Sequence, residues 1–375
     1  MGRSASAGSG TGAVIDGPRG AQRACRRRAT PAGSLAVAGA EVLLRGMMQQ
    51  PMGVAPVMIE AMDFEQSLDR VRAEAAGPLE GAFGPNSVLW QIDREALVFL
   101  GAGRALLMQL AHPWVATAIA EHSEALADPI GRFHRTFAIV FTLVFGSLDQ
   151  ALATARRLHQ RHAAVRGSMP EGLGPFGKGS PYRANEVSAL LWVHATLVDT
   201  ALVTYELVHP PLRPEARERY YQESRLLGAL FGIPPEAQPP DGAAFVRYLA
   251  TTLTSETLAV GAAARAIGTG VLSGAGGVPV PRWYRDVTAA LLPERLRTSF
   301  ELPFDGGEQR SAARALGAVR RLHPALPARL RYVAPYYEAL TRLSSRNRPD
   351  LATRALNRLW IGRPSMGADP AGRLP

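Results

Sequence analysis

Asp128-Pro129-Ile130-Gly131-Arg132-Phe133-His134-Arg135-Thr136-Phe137-Ala138-Ile139-Val140-Phe141-Thr142-Leu143-Val144-Phe145-Gly146 opens on an acidic residue followed by proline and closes on glycine. Proline suits the first turn of a helix, so the stretch reads as one helix ending at Gly146. Residues 137–145 are apolar on nearly all sides, which predicts a central helix rather than a surface one. Arg132, Arg135 and Thr136 stand at i, i+3 and i+4 and share one face. On most helices such a stripe is solvated. On a central helix it becomes a buried guanidinium face, suited to a carboxylate, a phosphate or a porphyrin propionate. An unsatisfied buried hydrogen-bonding group costs on the order of 1 to 3 kcal/mol and a charge more, so a polar or metallic partner is expected among these residues.

Helical patterns extend on both sides. Residues 58–76 read as a first helix stopped by Gly77-Pro78, and Asp93 reads as the N-cap of a helix that runs through Leu110 to His112-Pro113. Gly101 and Gly103 inside that helix imply the close approach of another helix or of a flat ligand. A short helix over 113–123, one over 148–166 ending at Gly167, and a long one capped by Asn185 and stopped by Pro210-Pro211 follow. Residues 214–231 and 242–267 are helical, the latter with a break. A glycine-rich loop at 273–277 precedes helices starting near Trp283, Glu308 and Arg329. Strand alternation is almost absent and no repeat period appears. The expected architecture is all-α, a single large helical domain over residues 41–365, with a basic arm at 1–40 and a tail at 366–375.

The 375 residues, 47% hydrophobic and 20% charged, describe a globular chain long enough to bury a core and a ligand cavity. Cys25 is the only cysteine, which excludes an internal disulfide and a Cys-based zinc or iron-sulfur site. Half of the net charge of +10 comes from the first thirty residues, where six arginines face Asp16 alone; Lys178 is the only lysine. The remaining arginines are dispersed with few aromatics among them, so nucleic acid is not the expected partner. The longest apolar run in the body, residues 137–148, is too short to span a bilayer, and no secretory signal is legible, so a cytoplasmic location is expected.

The histidines are individually ambiguous. His162, near a helix C-terminus, is either a partner of the helix dipole or a ligand, with His159 one turn earlier as a competitor. His194, in Trp192-Val193-His194-Ala195-Thr196-Leu197, is either a satisfied core histidine or a cofactor-facing one. His112 before Pro113 is either a helix-end group or a further candidate. No H-E-x-x-H, P-loop or G-x-S-x-G is present, and Gly172-x-Gly174-x-x-Gly177 lacks the strand and helix of a dinucleotide site. A helical body with histidines and buried cations leaves a heme pocket as a coherent option, since heme needs an axial ligand, donors for its propionates and an apolar cavity.

Gly103-Arg104-Ala105-Leu106-Leu107-x-Gln109-x-Ala111-His112-Pro113, His122-Ser123, Asp128-Pro129-x-x-Arg132-x-x-x-Thr136, His162-x-x-Val165-x-Gly167, Tyr182-x-Ala184 and the Trp192–Leu197 stretch together resemble the rubber-oxygenase catalytic-domain family over roughly residues 85 to 300. The family includes the latex-clearing proteins and a fungal endoplasmic-reticulum-bound oxygenase. The resemblance implies a globin-like helical core enclosing a b-type heme, and oxidative cleavage of isoprenoid double bonds by dioxygen. By motif position His162 would be the proximal iron ligand, Arg132 and Thr136 would match the arginine and threonine of an Arg-x-x-Lys-Thr element, and His194 and His112 are carried as further cofactor-binding candidates. The chain departs from the element at Arg135, where latex-clearing proteins place a lysine that can bind iron. Arginine stays protonated and cannot ligate a metal. An open distal position follows as the expectation, with Arg132 or Arg135 donating to dioxygen or a propionate. The expected function is a heme-dependent oxygenase for a small apolar substrate, with an unidentified electron donor; the alternative is a non-catalytic heme or hydrophobic-ligand binding protein.

Overall fold

In the computed structural model the chain divides into two units, Met1–Gly39 and Ala40–Pro375. The described residues are 59, 61–123, 127–274, 277, 279–344 and 348–367. The expected basic arm, most of the expected tail and part of the loop at 273–277 lie outside them. Among the described residues the body is all-α, with one two-stranded ribbon.

The helices are α1 (Ala61–Glu74), α2 (Val88–Asp93), α3 (Ala102–Leu110), α4 (Pro113–His122), α5 (Pro129–Phe145), α6 (Leu148–Ala164), α7 (Val187–Glu206), α8 (Pro214–Leu230), α9 (Gly242–Thr254), α10 (Ala262–Ser273), α11 (Arg282–Leu291), α12 (Glu294–Ser299), α13 (Gly306–Leu322), α14 (Ala328–Arg331), α15 (Ala334–Leu343) and α16 (Leu351–Ile361). The ribbon pairs β1 (Arg166–Ser168) with β2 (Pro181–Arg183) in antiparallel register, Gly167 opposite Tyr182. A Cβ on Gly167 would fall 2.6 Å from the Tyr182 hydroxyl, so the crossing needs glycine.

The helix at 129–145 forms as its sequence predicts. Asp128 accepts from Gly131 N at 2.8 Å as its N-cap, Pro129 occupies the first turn and Gly146 ends it. Arg342 of α15 donates to Phe145 O at 2.7 Å and satisfies one of the terminal carbonyls. A capping box at Ser147 and Gln150 then starts α6, so α5 and α6 form a helical hairpin, and α15 and α16 pack back on α5.

α7 is the central element. It is long and apolar enough to cross a membrane by length and composition, yet 67% of that stretch is buried inside the fold, including Trp192, Ala195 and Thr196. Its contacts with α3 use the sequence's most distinctive residues. Arg104, 6% exposed, pairs with Asp199 at 2.6 Å and donates to Thr200 Oγ1 at 2.5 Å and to Leu291 O at 2.9 Å. Gln109 Nε2 reaches Thr196 Oγ1 at 3.2 Å, and Trp192 Nε1 donates to Met108 O at 2.8 Å.

Several boundaries differ from expectation. Asp93 ends α2 rather than capping a long helix, because Glu95 turns the chain and residues 96–101 form a 3-10 turn. Gly101 lies against α7 and Gly103 against α11: a Cβ would meet Thr200 Cγ2 at 2.3 Å and Thr288 Oγ1 at 2.5 Å, so their smallness serves helix approach. α6 stops at Ala164 because Val165 turns extended into β1. Glu186, not Asn185, caps α7, accepting from Ala189 N at 2.8 Å; Asn185 instead donates to His159 O at 3.1 Å. The break within 242–267 falls after Thr254, where Arg295 donates to the freed carbonyls of Leu253, Ser255 and Leu258 at 2.7 to 3.0 Å.

Candidate functional site

The hairpin brings the start of α5 beside the end of α6. The Arg135 guanidinium lies close enough to Arg161 to act on its charge. Arg135 is committed to its own cap: its Nη1 lies 2.8 Å from Asp128 Oδ2. The Gly131 amide and then Arg135 hold the Asp128 carboxyl below its usual range. Thr136 is exposed.

Arg132 is half-buried and makes no hydrogen bond or ion pair among the described residues; burial and then Arg135 lower its pKa. Arg161 is exposed and has no acceptor among the described residues; burial and then Arg135 lower its pKa. Arg161 stands next to His162 in the chain and acts on its ring, while Arg132 lies at the start of α5.

His162 Nδ1 is buried with no hydrogen-bond partner. Burial, with smaller contributions from His159 and Arg161, lowers the ring to about 4, so the imidazole is neutral at pH 7, the form that ligates metals. His159, whose Nδ1 is likewise buried without a hydrogen-bond partner, is stacked on Phe64 at 4.2 Å. Val165, packed against Trp114, Met169, Tyr182 and Ala189, ties the end of α6 to a small apolar cluster under the ribbon. Along α5 the apolar side continues through Phe133 and Phe137, which meet Phe99 at 5.6 and 4.5 Å.

The other two candidate histidines are buried among different neighbours. His112, 1% exposed, has no partner on either ring nitrogen and lies 5.3 Å from Phe176 and 6.1 Å from Trp114. His194 has an unpartnered Nδ1 and lies 5.9 Å from Phe231. Burial lowers both to about 4. Among the described residues no hydrogen bond or ring contact joins either to His162.

These features fit an anionic, metal-bearing ligand at the α5–α6 hairpin: a neutral imidazole with an orphaned nitrogen, and two unpaired cations. His162 would hold iron, and Arg132 and Arg161 would meet propionates. Arg161 was not singled out in the sequence, although its position beside His162 carried the signal.

A second cluster escaped sequence reasoning altogether. Glu95, His209 and His323 each offer a ligand atom, all within 4.8 Å of one another. His323 Nε2 lies 3.0 Å from Glu95 Oε2, His209 Nε2 lies 3.4 Å from Glu95 Oε1, and Arg331 reaches both carboxylate oxygens at 3.2 and 3.3 Å. The members lie in separate segments, so no spacing could have revealed them.

No curated protein and no solved structure matches the chain. The family described as ER-bound oxygenase mpaB/B'/Rubber oxygenase, catalytic domain, matches residues 89–357. That span runs from α2 to α16 and contains both the hairpin and the α3–α7 contact. The chain belongs to the ER-bound oxygenase mpaB/B'/rubber oxygenase catalytic-domain family.

Proposed function

We propose that the protein is a heme-dependent oxygenase that uses dioxygen on a small apolar, isoprenoid-like substrate, with electrons from a separate donor. The observation that carries this reading is the neutral His162 imidazole with a buried, unpartnered Nδ1 at the end of α6, on the helical hairpin whose other arm carries the half-buried, unpaired Arg132. A b-type heme bound there would supply the iron chemistry that activates dioxygen. His162 would hold the iron through an unprotonated nitrogen. Arg132, half-buried and unpaired, would anchor a heme carboxylate through a charge-assisted hydrogen bond, with the exposed Arg161 available to a second. Phe133 and Phe137, packed on each other at 4.6 Å, continue the apolar side of α5 beyond Arg132. Arg135, held by Asp128, remains cationic and contributes electrostatic attraction rather than a metal ligand.

The Arg135–Asp128 pair also motivates a second reading. A distal guanidinium already engaged in capping its own helix suits a non-catalytic heme or hydrophobic-ligand carrier. Dioxygen uptake separates the two. Heme-loaded protein with reductant and an isoprenoid substrate consumes dioxygen in proportion to product if it is an oxygenase. Heme binding without substrate-dependent uptake, across a panel of polyisoprene and short isoprenoid substrates, selects the carrier.

A further inference from the structure

We propose that Glu95, His209 and His323 form a second site that binds one divalent first-row transition ion, apart from the α5–α6 hairpin. Two imidazoles and one carboxylate are the donor set of catalytic zinc sites and of non-heme ferrous centres, both of which leave positions open for water or substrate. Ligand atoms about 2.0 to 2.2 Å from a common ion stand roughly 3.0 to 3.5 Å apart; here His323 lies 3.0 Å from one Glu95 oxygen and His209 3.4 Å from the other, so the carboxylate would bind through both, and the candidate ligand atoms all lie within 4.8 Å of one another.

The surroundings hold the donors in place. Glu95 is 1% and His323 4% exposed. Glu95 follows α2 and pairs its backbone with Tyr332, which brings Arg331 alongside. His209 follows α7, its ring stacked on Tyr205 at 4.2 Å, and its Nε2 is buried without any hydrogen bond. Arg331 does not exclude the ion. A carboxylate has about four lone-pair directions, and a hydrogen bond to a ligating carboxylate is the usual outer support of a metal site.

An approach path is present. A groove of about 730 Å³, walled by Leu97, Leu100, Leu322 and Leu326, includes His323 and Arg331 in its lining. A metal with open positions at its end would face apolar ligands carrying one polar group. Neither the ion nor the groove depends on the heme reading.

The full-length chain, freed of metal by chelator dialysis, is titrated calorimetrically with zinc, and with cobalt(II) while visible absorption is recorded. One equivalent of zinc is expected, with cobalt(II) d–d absorption appearing in the visible on binding. His209→Phe, which keeps the ring on Tyr205, and His323→Asn should each weaken zinc binding at least tenfold, while His162→Ala leaves it unchanged. Circular dichroism checks folding; if His323→Asn does not fold, the half-buried His209→Phe decides. Absence of zinc binding, or undiminished binding in a folded His209→Phe variant, overturns the proposal and leaves a buried ion cluster.

Discussion

Arg104 is the most heavily engaged cation in the core, and its removal gives a quantitative test of the α3–α7 contact. Its guanidinium makes three bonds, to Asp199, Thr200 and Leu291 O, and its side chain is 7% exposed against 23% for Asp199. Arg104→Met keeps the aliphatic stem but leaves the Asp199 carboxylate without its partner. Breaking one side of a buried pair costs about 3 to 5 kcal/mol; water reaching Asp199 places the expected loss near ~3 kcal/mol. Asp199→Asn retains an acceptor oxygen and should cost about 1 to 2 kcal/mol. The double variant should be less destabilised than the sum by about 1 kcal/mol or more, because the unpaired carboxylate is gone. Equilibrium urea unfolding followed by circular dichroism at 222 nm reads all four proteins. Additivity of the two single losses to within about 0.5 kcal/mol would refute the claim that this pair couples α3 to α7.

Other outcomes follow from the same geometry. Gly101→Ala places a methyl 2.3 Å from Thr200 Cγ2 and 2.7 Å from Thr204 Cγ2 and should destabilise by about 1 to 3 kcal/mol, partly recovered by adding Thr200→Ser; an unchanged melting temperature would contradict the close approach. Burial, reinforced by Glu223, raises Asp93 to about 7, so the native state holds a proton that the unfolded state releases near pH 4. Stability therefore falls as pH rises from about 4 to about 7, and Asp93→Asn should flatten that limb and be the more stable protein at pH 8, as read by urea midpoints. His112 and His194, lowered to about 4 by burial, work in the opposite direction: the unfolded state takes up protons first, so stability falls as pH drops from about 6.5 to about 4. His112→Phe should reduce the proton uptake on unfolding at pH 5 by about one, measured by the pH slope of the unfolding free energy.

Much of the helical architecture was legible because its signals are local. Asp128-Pro129 and Gly146 bound α5, and the proline pair at 210–211 follows α7, as caps and helix breakers dictate. Asp93 misled because an acidic residue before an apolar run resembles an N-cap, while the 3-10 turn at 96–101 is set by Gly101 packing on Thr200 and Thr204, which is tertiary information. The same holds at the sites. The motif around Arg104, Gln109, Trp192 and Thr196 was visible as chemistry but its work is helix-to-helix contact, decided by partners about ninety residues away. The choice of His162 and Arg132 could be made from a family resemblance, whereas the orphaned His162 Nδ1 is a property of burial. Glu95, His209 and His323 meet only through the fold.

The central claim is that His162 holds a heme iron at the α5–α6 hairpin. Absorption spectra of the purified, heme-supplemented protein, oxidised and dithionite-reduced, beside the His162→Ala variant test it most directly. The account predicts a Soret band that shifts on reduction in the parent and is lost or altered in the variant, with unchanged helical circular dichroism. An identical Soret band at full heme occupancy in both proteins, or none in either, would contradict it.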